Sequence, residues 1–198
     1  NNTIFPAIGY LESAELVDNT VRKKYNLPNR DRMSDPRDVK ALQNTYISSD
    51  ADWIQFETVV STDESQTAIA PGYLIKEWQE NGRRYFHYRM DQKMLNFYAF
   101  ISGRYAVKKE KHNDINLEIY YHKDHIFNLD RMTKGLKDAL GYYEREFSPY
   151  QFNQIRIIEF PLTHGTFAQA FANTIPFSEG FGFIAKVDEE NPNAVDYP

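Results

Sequence analysis

The 198-residue chain has no cysteine, so it can hold neither a disulfide nor a thiolate-bound metal. It has no excess of positive charge. Lys and Arg number 23 against 28 Asp and Glu, a formal net charge of -5, so no basic surface tracks a phosphate backbone and nucleic acid is not an expected partner. No run approaches the roughly 20 apolar residues of a membrane helix, and no signal peptide is present. The sequence opens Asn1-Asn2-Thr3, without the methionine of a complete reading frame, as an excised piece does. Chemical motifs are missing too: no His-Glu-x-x-His, no Gly-x-Ser-x-Gly, and no glycine-rich phosphate loop, since Gly180-Phe181-Gly182 lacks the third glycine and a following helix. What is present is 41% hydrophobic and 15% aromatic residues, with 14 Tyr and 14 Phe. That composition specifies a folded, β-rich body.

Residues 11 to 50 are polar and irregular, with a helix expected over Ala14 to Tyr25 and a shorter one opening at Ser34-Asp35-Pro36. From Trp53 the pattern turns to period two, with Ile54, Phe56, Thr58 and Val60 on one face of a strand. Tyr73 to Glu80 and Arg83 to Met90 flank Asn81-Gly82, a pair suited to a type I′ hairpin turn. Two further strands, Gly103 to Lys109 and Ile115 to Tyr121, flank the polar turn His112-Asn113-Asp114. Residues 51 to 121 thus read as an antiparallel sheet. The period then becomes helical: Leu129, Met132, Leu136, Leu140, Tyr143 and Phe147 form one apolar stripe, with Asn128 as N-cap and Ser148-Pro149 as stop. A strand follows from Asn153 to Phe160, then an irregular stretch, then a last strand over Gly182 to Val187. The fold class is α+β, divided near residue 125.

The five histidines are the first place to look for a metal. His122 and His125 are three apart, but they sit where strand passes into loop, whereas ligands on one helical face need a helix there and usually a carboxylate as well; they read as solvated. His87 reads as a surface or edge residue of the hairpin, His112 as a turn residue and His164 as a loop residue. No metal ligand and no catalytic residue is assigned. Glu144 and Glu146 point to different faces of the helix and cannot act as a pair. Glu179 differs. It stands between Phe177 and Phe181 in a strand-like run, where a carboxylate is costly without a partner. A strand edge bearing a carboxylate suits capture of a peptide: the backbone pairs with an extended substrate and the carboxylate takes the α-amino group.

Several segments, in order, resemble the gluzincin zinc aminopeptidases, of which aminopeptidase N is the familiar member. Tyr142-Tyr143-Glu144-Arg145-Glu146-Phe147-Ser148-Pro149-Tyr150 is similar to the family's helix end. Ile155 to Pro161 is similar to the strand that follows, and Ser178-Glu179-Gly180-Phe181-Gly182-Phe183-Ile184 falls on the family's Met-Glu-Asn-x-Gly-Leu-Ile. Phe5-Pro6, Ala70-Pro71-Gly72 and Met94 to Gly103 resemble earlier segments. The motif's Asn is Gly180 here, and its Gly and Met are Pro176 and Ser178. The run Phe171-Ala172-Asn173-Thr174-Ile175-Pro176 resembles a bacterial subgroup of peptidase domains fused to ABC-transporter-type permeases.

The resemblance implies that residues 1–125 are the C-terminal portion of an antiparallel β-saddle domain, and 126–198 the truncated start of a thermolysin-like catalytic domain. It implies that Glu179 binds the peptide amino terminus, with the backbone near Ser178 and Phe177 aligning the first residues. Zinc and the catalytic groups belong to the parent protein, beyond Pro198, so the fragment has no cofactor of its own and is inactive alone. The missing catalytic part is its expected partner, along with self-association through the surfaces that truncation exposes. The parent is membrane-associated with its peptidase domain extracytoplasmic, while the fragment is soluble. The alternative is a non-catalytic peptide-binding or structural module of a transporter-associated protein.

Overall fold

The computed structural model describes residues 15–30, 34–43, 52–188 and 190–191. The chain divides into two compact units, Asn1–Trp53 with Leu95–Phe97, and Ile54–Met94 with Tyr98–Pro198. The early motif Phe5-Pro6 lies outside the described residues.

In the first unit one short helix, α1 (Asn19–Lys24), forms where the sequence supplies a cap. Asp18 Oδ1 accepts from the Thr20 and Val21 amides at 2.7 and 3.0 Å. Those backbone donors hold the Asp18 carboxyl below its ordinary value. Arg22, Lys23 and Lys24 occupy the last turn, where cations complement the helix dipole. The helix is shorter than the expected 14–25, because Asp18 sets its start. Among the described residues no α-helix opens at Ser34-Asp35-Pro36, contrary to expectation. The Asp35 and Asp38 carboxylates capture the amides of Arg37 and Lys40, two residues on, and these local turns compete with helix. Only a 3-10 turn forms, at Ala41–Gln43.

The strands, in chain order, are β1 (Trp53–Ile54), β2 (Glu57–Asp63), β3 (Thr67–Ile69), β4 (Tyr73–Glu80), β5 (Arg83–Arg89), β6 (Met94–Leu95), β7 (Ile101–Gly103), β8 (Ala106–His112), β9 (Ile115–Tyr121), β10 (Gln154–Phe160) and β11 (Thr174–Ser178). Among the described residues the one long helix is α2 (Leu129–Glu146). The fold is α+β. The Asn81-Gly82 hairpin forms as the sequence dictates, with φ of 50° and 69°, and gives the antiparallel order β2-β5-β4. The single sheet expected over 51–121 does not form. β3 pairs with β7, β1 with β6, and β8 and β9 leave to join β10 and β11 in the order β11-β10-β9-β8. β8–β9 is antiparallel, whereas β9–β10 and β10–β11 are parallel.

β10 explains this sheet. All seven of its residues are buried, as befits a strand covered on both faces. Ile155 and Ile157 pack against Leu140, Leu129 and Met132 of α2. Ile158, on the opposite face, packs against Ile69 and Tyr120. Tyr143 and Phe147 continue the helical stripe but remain 59% and 72% exposed, so the sheet covers only its first part. Among the described residues, no helix is long and apolar enough to cross a membrane.

Arg156, 1% exposed, sits on the Ile158 face between the rings of Tyr88 and Tyr120. Its Nε donates to Glu118 Oε2 at 3.1 Å and its Nη1 to the Ala70 carbonyl at 3.1 Å. Burial pushes the Glu118 carboxyl up, but the charges of Arg156 and Lys109 more than offset this and leave it below its ordinary value. Asn128 holds the N-cap position of α2, its carbonyl accepting the Met132 amide at 2.8 Å, but not by the expected side-chain bond. Its side chain makes no capping bond and instead donates Nδ2 to the carbonyls of Gly182 and Ala185, the latter at 2.6 Å. Phe183, fully buried, packs beneath α2. Residues 182–187 therefore do not form the expected last strand. Their carbonyls are satisfied by a side chain, and the strand lies earlier, at β11.

Replacing Arg156 by Leu leaves the largely buried Glu118 with only the exposed Lys109 and the Tyr120 hydroxyl, and is expected to cost about 3 kcal/mol in urea unfolding. The folded chain keeps Glu118 charged below the ordinary value of 4.5, so the pair's contribution is full above that pH and fades as pH falls through the lower folded value. Stability measured against pH should therefore drop less steeply below that point in Glu118→Gln than in the native chain. Asn128→Ala leaves two carbonyls without their donor; hydrogen exchange should quicken at 182–185 while the middle of α2 stays protected.

Candidate functional site

β10 ends in Glu159 and Phe160, both buried, and the chain then passes Pro161 into the 3-10 turn Leu162–His164. Residues 167–171 run back along the outer edge of β11. Ser178 donates its amide to the Phe167 carbonyl at 3.0 Å, Gln169 to Pro176 at 3.1 Å, and Phe171 to Thr174 at 2.9 Å. β11 therefore has its outer edge hydrogen-bonded within the chain. Pro176, at its centre, has no amide to offer that edge.

Glu179 is the first residue beyond β11. Its amide donates to the Phe160 carbonyl at 2.9 Å and continues the parallel pairing, while its carbonyl accepts from Ile184 at 3.1 Å. Its side chain is half-buried, and Oε1 accepts the Leu162 amide at 2.8 Å. Among the described residues Oε2 has no hydrogen-bond partner. Ser178 is fully buried, with Oγ donating to the Gly165 carbonyl at 2.8 Å. Phe177 is half-buried, its ring 5.4 Å from Phe181 and 6.2 Å from Phe183. Gly180 matters for space: a Cβ there would lie 2.7 Å from Leu162 Cδ1. The absence of a side chain at 180 lets Leu162 close over the turn that holds Glu179.

Glu179 lines a cavity of about 490 Å³ together with Tyr105, His122, His125, Glu159 and Arg104. Glu159 has only 4% of its side chain exposed. Its Oε1 pairs with His125 Nδ1, and its Oε2 accepts the His122 amide at 2.6 Å. The Tyr105 hydroxyl donates to the Glu159 carbonyl at 3.0 Å. Burial, reinforced by the Glu159 charge, pushes the Tyr105 phenol above its ordinary value, so it stays a neutral donor.

His125 is thus not the solvated loop residue expected. Its side chain is 23% exposed and joined to a buried carboxylate, because the turn after β9 folds it onto the end of β10. His122 is exposed, as expected. His87 pairs with Glu57 at 2.6 Å on the middle strand of the β2-β5-β4 sheet, and His164 is exposed in the 3-10 turn. Glu144 accepts from the Tyr150 amide and Glu146 from Arg145, so the two do not act together. Glu159 escaped the sequence reading entirely. The signal was there: two charges, Arg156 and Glu159, inside a seven-residue run otherwise fit for a buried strand.

The zinc that the resemblance implies for the parent does not fit the residues of this chain, which contain no His-Glu-x-x-His. Among the described residues, His125, Glu159 and Glu179 bring three donor atoms within 4.8 Å of one another.

No protein-family model matches the sequence. No curated protein matches it either. Among solved structures the chain is similar to an M1 zinc metallopeptidase from Deinococcus radiodurans, with a TM-score of 0.52 and 14% identity. The match covers 64% of this chain and 30% of that one. At that identity the likeness is one of fold, and it supports a distant aminopeptidase-like architecture.

Proposed function

We propose that this chain is the peptide-gripping part of an aminopeptidase-like protein, with Glu179 receiving the α-ammonium group of a peptide. The observation that carries the reading is the placement of Glu179. It is half-buried at the carboxyl end of a strand, held by its own backbone bonds, with one carboxylate oxygen occupied and one without a partner beside a cavity of about 490 Å³. A charge-assisted bond from an ammonium to that oxygen is stronger than a neutral one. The adjoining Glu159 adds negative potential to the same cavity. With the outer edge of β11 occupied, the peptide is held at the cavity and not by strand addition. Ser178 and Phe177 contribute by fixing the loop: one anchors it to Gly165, the other packs it against Phe181 and Phe183.

In this reading residues 1–125 belong to a β-saddle domain and 126–198 to the start of a catalytic domain whose zinc ligands lie in the parent. The narrower assignment, to a transporter-associated bacterial membrane protein, rests on the run Phe171–Pro176 alone. A non-catalytic peptide-binding module accounts for the same grip, and hydrolysis by the parent separates the two.

A dipeptide amide with a free amino terminus, titrated with chelator present and followed by amide NMR, should bind better than its N-acetylated counterpart. Glu179→Gln should remove that preference, a loss of about 1.5–3 kcal/mol for a hydrogen bond to a charged group. Equal affinity for free and acetylated peptides would sink the proposal. The chain by itself should not turn over aminoacyl-arylamide substrates, and chelator-sensitive turnover by a pure sample would contradict its role as a grip without catalysis.

A further inference from the structure

We propose that His125, Glu159 and Glu179 form a binding site for one divalent transition-metal ion of the zinc or cobalt type. The site is distinct in residues and pattern from a His-Glu-x-x-His centre. It goes beyond the peptide reading and does not depend on it.

Geometry comes first. The three donor atoms lie within 4.8 Å of one another. A tetrahedral zinc ion bound at about 2.1 Å to each would hold donors about 3.4 Å apart, so closing the widest pair takes up to about 1.4 Å of side-chain movement, shared between two side chains. The donors are already held close to that arrangement. Glu159 stands on a strand buried on both faces, with Oε2 fixed by the His122 amide at 2.6 Å. His125 follows a tight turn in which its own amide donates to the His122 carbonyl at 2.8 Å. Glu179 is pinned by its own amide, which donates to the Phe160 carbonyl, and by its own carbonyl, which accepts from Ile184. Supporting bonds of this kind orient metal ligands and raise affinity.

Charge comes second. Two carboxylates converge on one cavity, and one of them is almost entirely out of water. Such a pair is unfavourable unless a cation lies between them. The His125 ring meets Glu159 and leaves Glu179 without a cationic neighbour among the ion pairs of the described residues. Arg104, which also lines the cavity, donates Nε to Ser65 Oγ and forms an ion pair with neither carboxylate. An ion touching both carboxylates neutralises them together.

Donor chemistry selects the ion. One imidazole with two carboxylates suits zinc, cobalt or manganese, whereas magnesium and calcium favour sets made only of oxygen. Three protein donors leave the remaining coordination positions to water or a ligand in the cavity. Glu179 is shared with the proposed peptide site, so the ion and an α-ammonium group compete.

The test uses the chain freed of metal by chelation and dialysis. Titration with Co²⁺ should give a visible d–d band saturating at one ion per chain, and calorimetry with Zn²⁺ should give the same stoichiometry. His125→Ala and Glu159→Gln should weaken binding by more than the roughly 10–100-fold that loss of an outer-shell partner costs. His87→Ala, at the separate His87–Glu57 pair, should leave binding unchanged. If Glu159→Gln fails to fold by circular dichroism, Glu179→Gln carries the same expectation, and paramagnetic shifts of the His125 ring in the native chain report the ligand directly. Absence of saturable binding, or binding that survives loss of His125 and of either glutamate, overturns the site. Because the peptide titration contains chelator, each proposal stands or falls by its own result.

Discussion

The arrangement turns on a guanidinium buried between two aromatic rings. Arg156 is held by Glu118, by the Ala70 carbonyl, and by the faces of Tyr88 and Tyr120. Burial pushes the Tyr88 phenol up to about 12 and the Tyr120 phenol up as well, so both rings stay neutral beside the cation. A charge so placed permits only one register for β10. Side chains on a strand alternate, so Arg156 and Glu159 necessarily face opposite sides. A slip of one residue would put Arg156 under α2 and Glu159 among the tyrosines. The structural charge and the charge that lines the cavity are therefore set by one strand, and the first fixes where the second points.

Asn173 works in the same direction. It is 1% exposed at a φ of 47°, and its carbonyl accepts the Arg156 amide while its Oδ1 accepts the Gly72 amide at 3.0 Å. Both residues thus bind the segment between β3 and β4, at Ala70 and Gly72, to the parallel strands. β-strands far apart in sequence meet around a few satisfied polar groups, and apolar packing then fills the space between them.

Local features were legible and non-local ones were not. Asn81-Gly82 announced its hairpin because two positive φ angles are a property of those residues alone. The helical stripe from Leu129 announced α2 because its period repeats over five turns. β11 was hidden because Pro176 argues against a strand, and only the structure shows that its missing amide falls where the outer edge can spare it. Asn128 was legible as the cap position of α2, but the partners of its side chain, Gly182 and Ala185, were not, being more than fifty positions away. The candidate site suffered most. His125 looked solvated because the carboxylate it meets comes from a strand 34 residues later. Glu179 was visible because it stands among aromatic residues, in a run that resembles the aminopeptidase motif.

The Asn128 amide has a mechanical consequence. His125 lies three residues before Asn128, and Glu179 three before Gly182, one of the carbonyls that Asn128 grips. The two halves of the cavity wall, separate in sequence, thereby share one fulcrum at the foot of α2. A small rotation of that helix end would carry both walls together and leave their spacing nearly unchanged. The backbone spacing between His125 and Glu179 is thereby tied to a single side-chain amide.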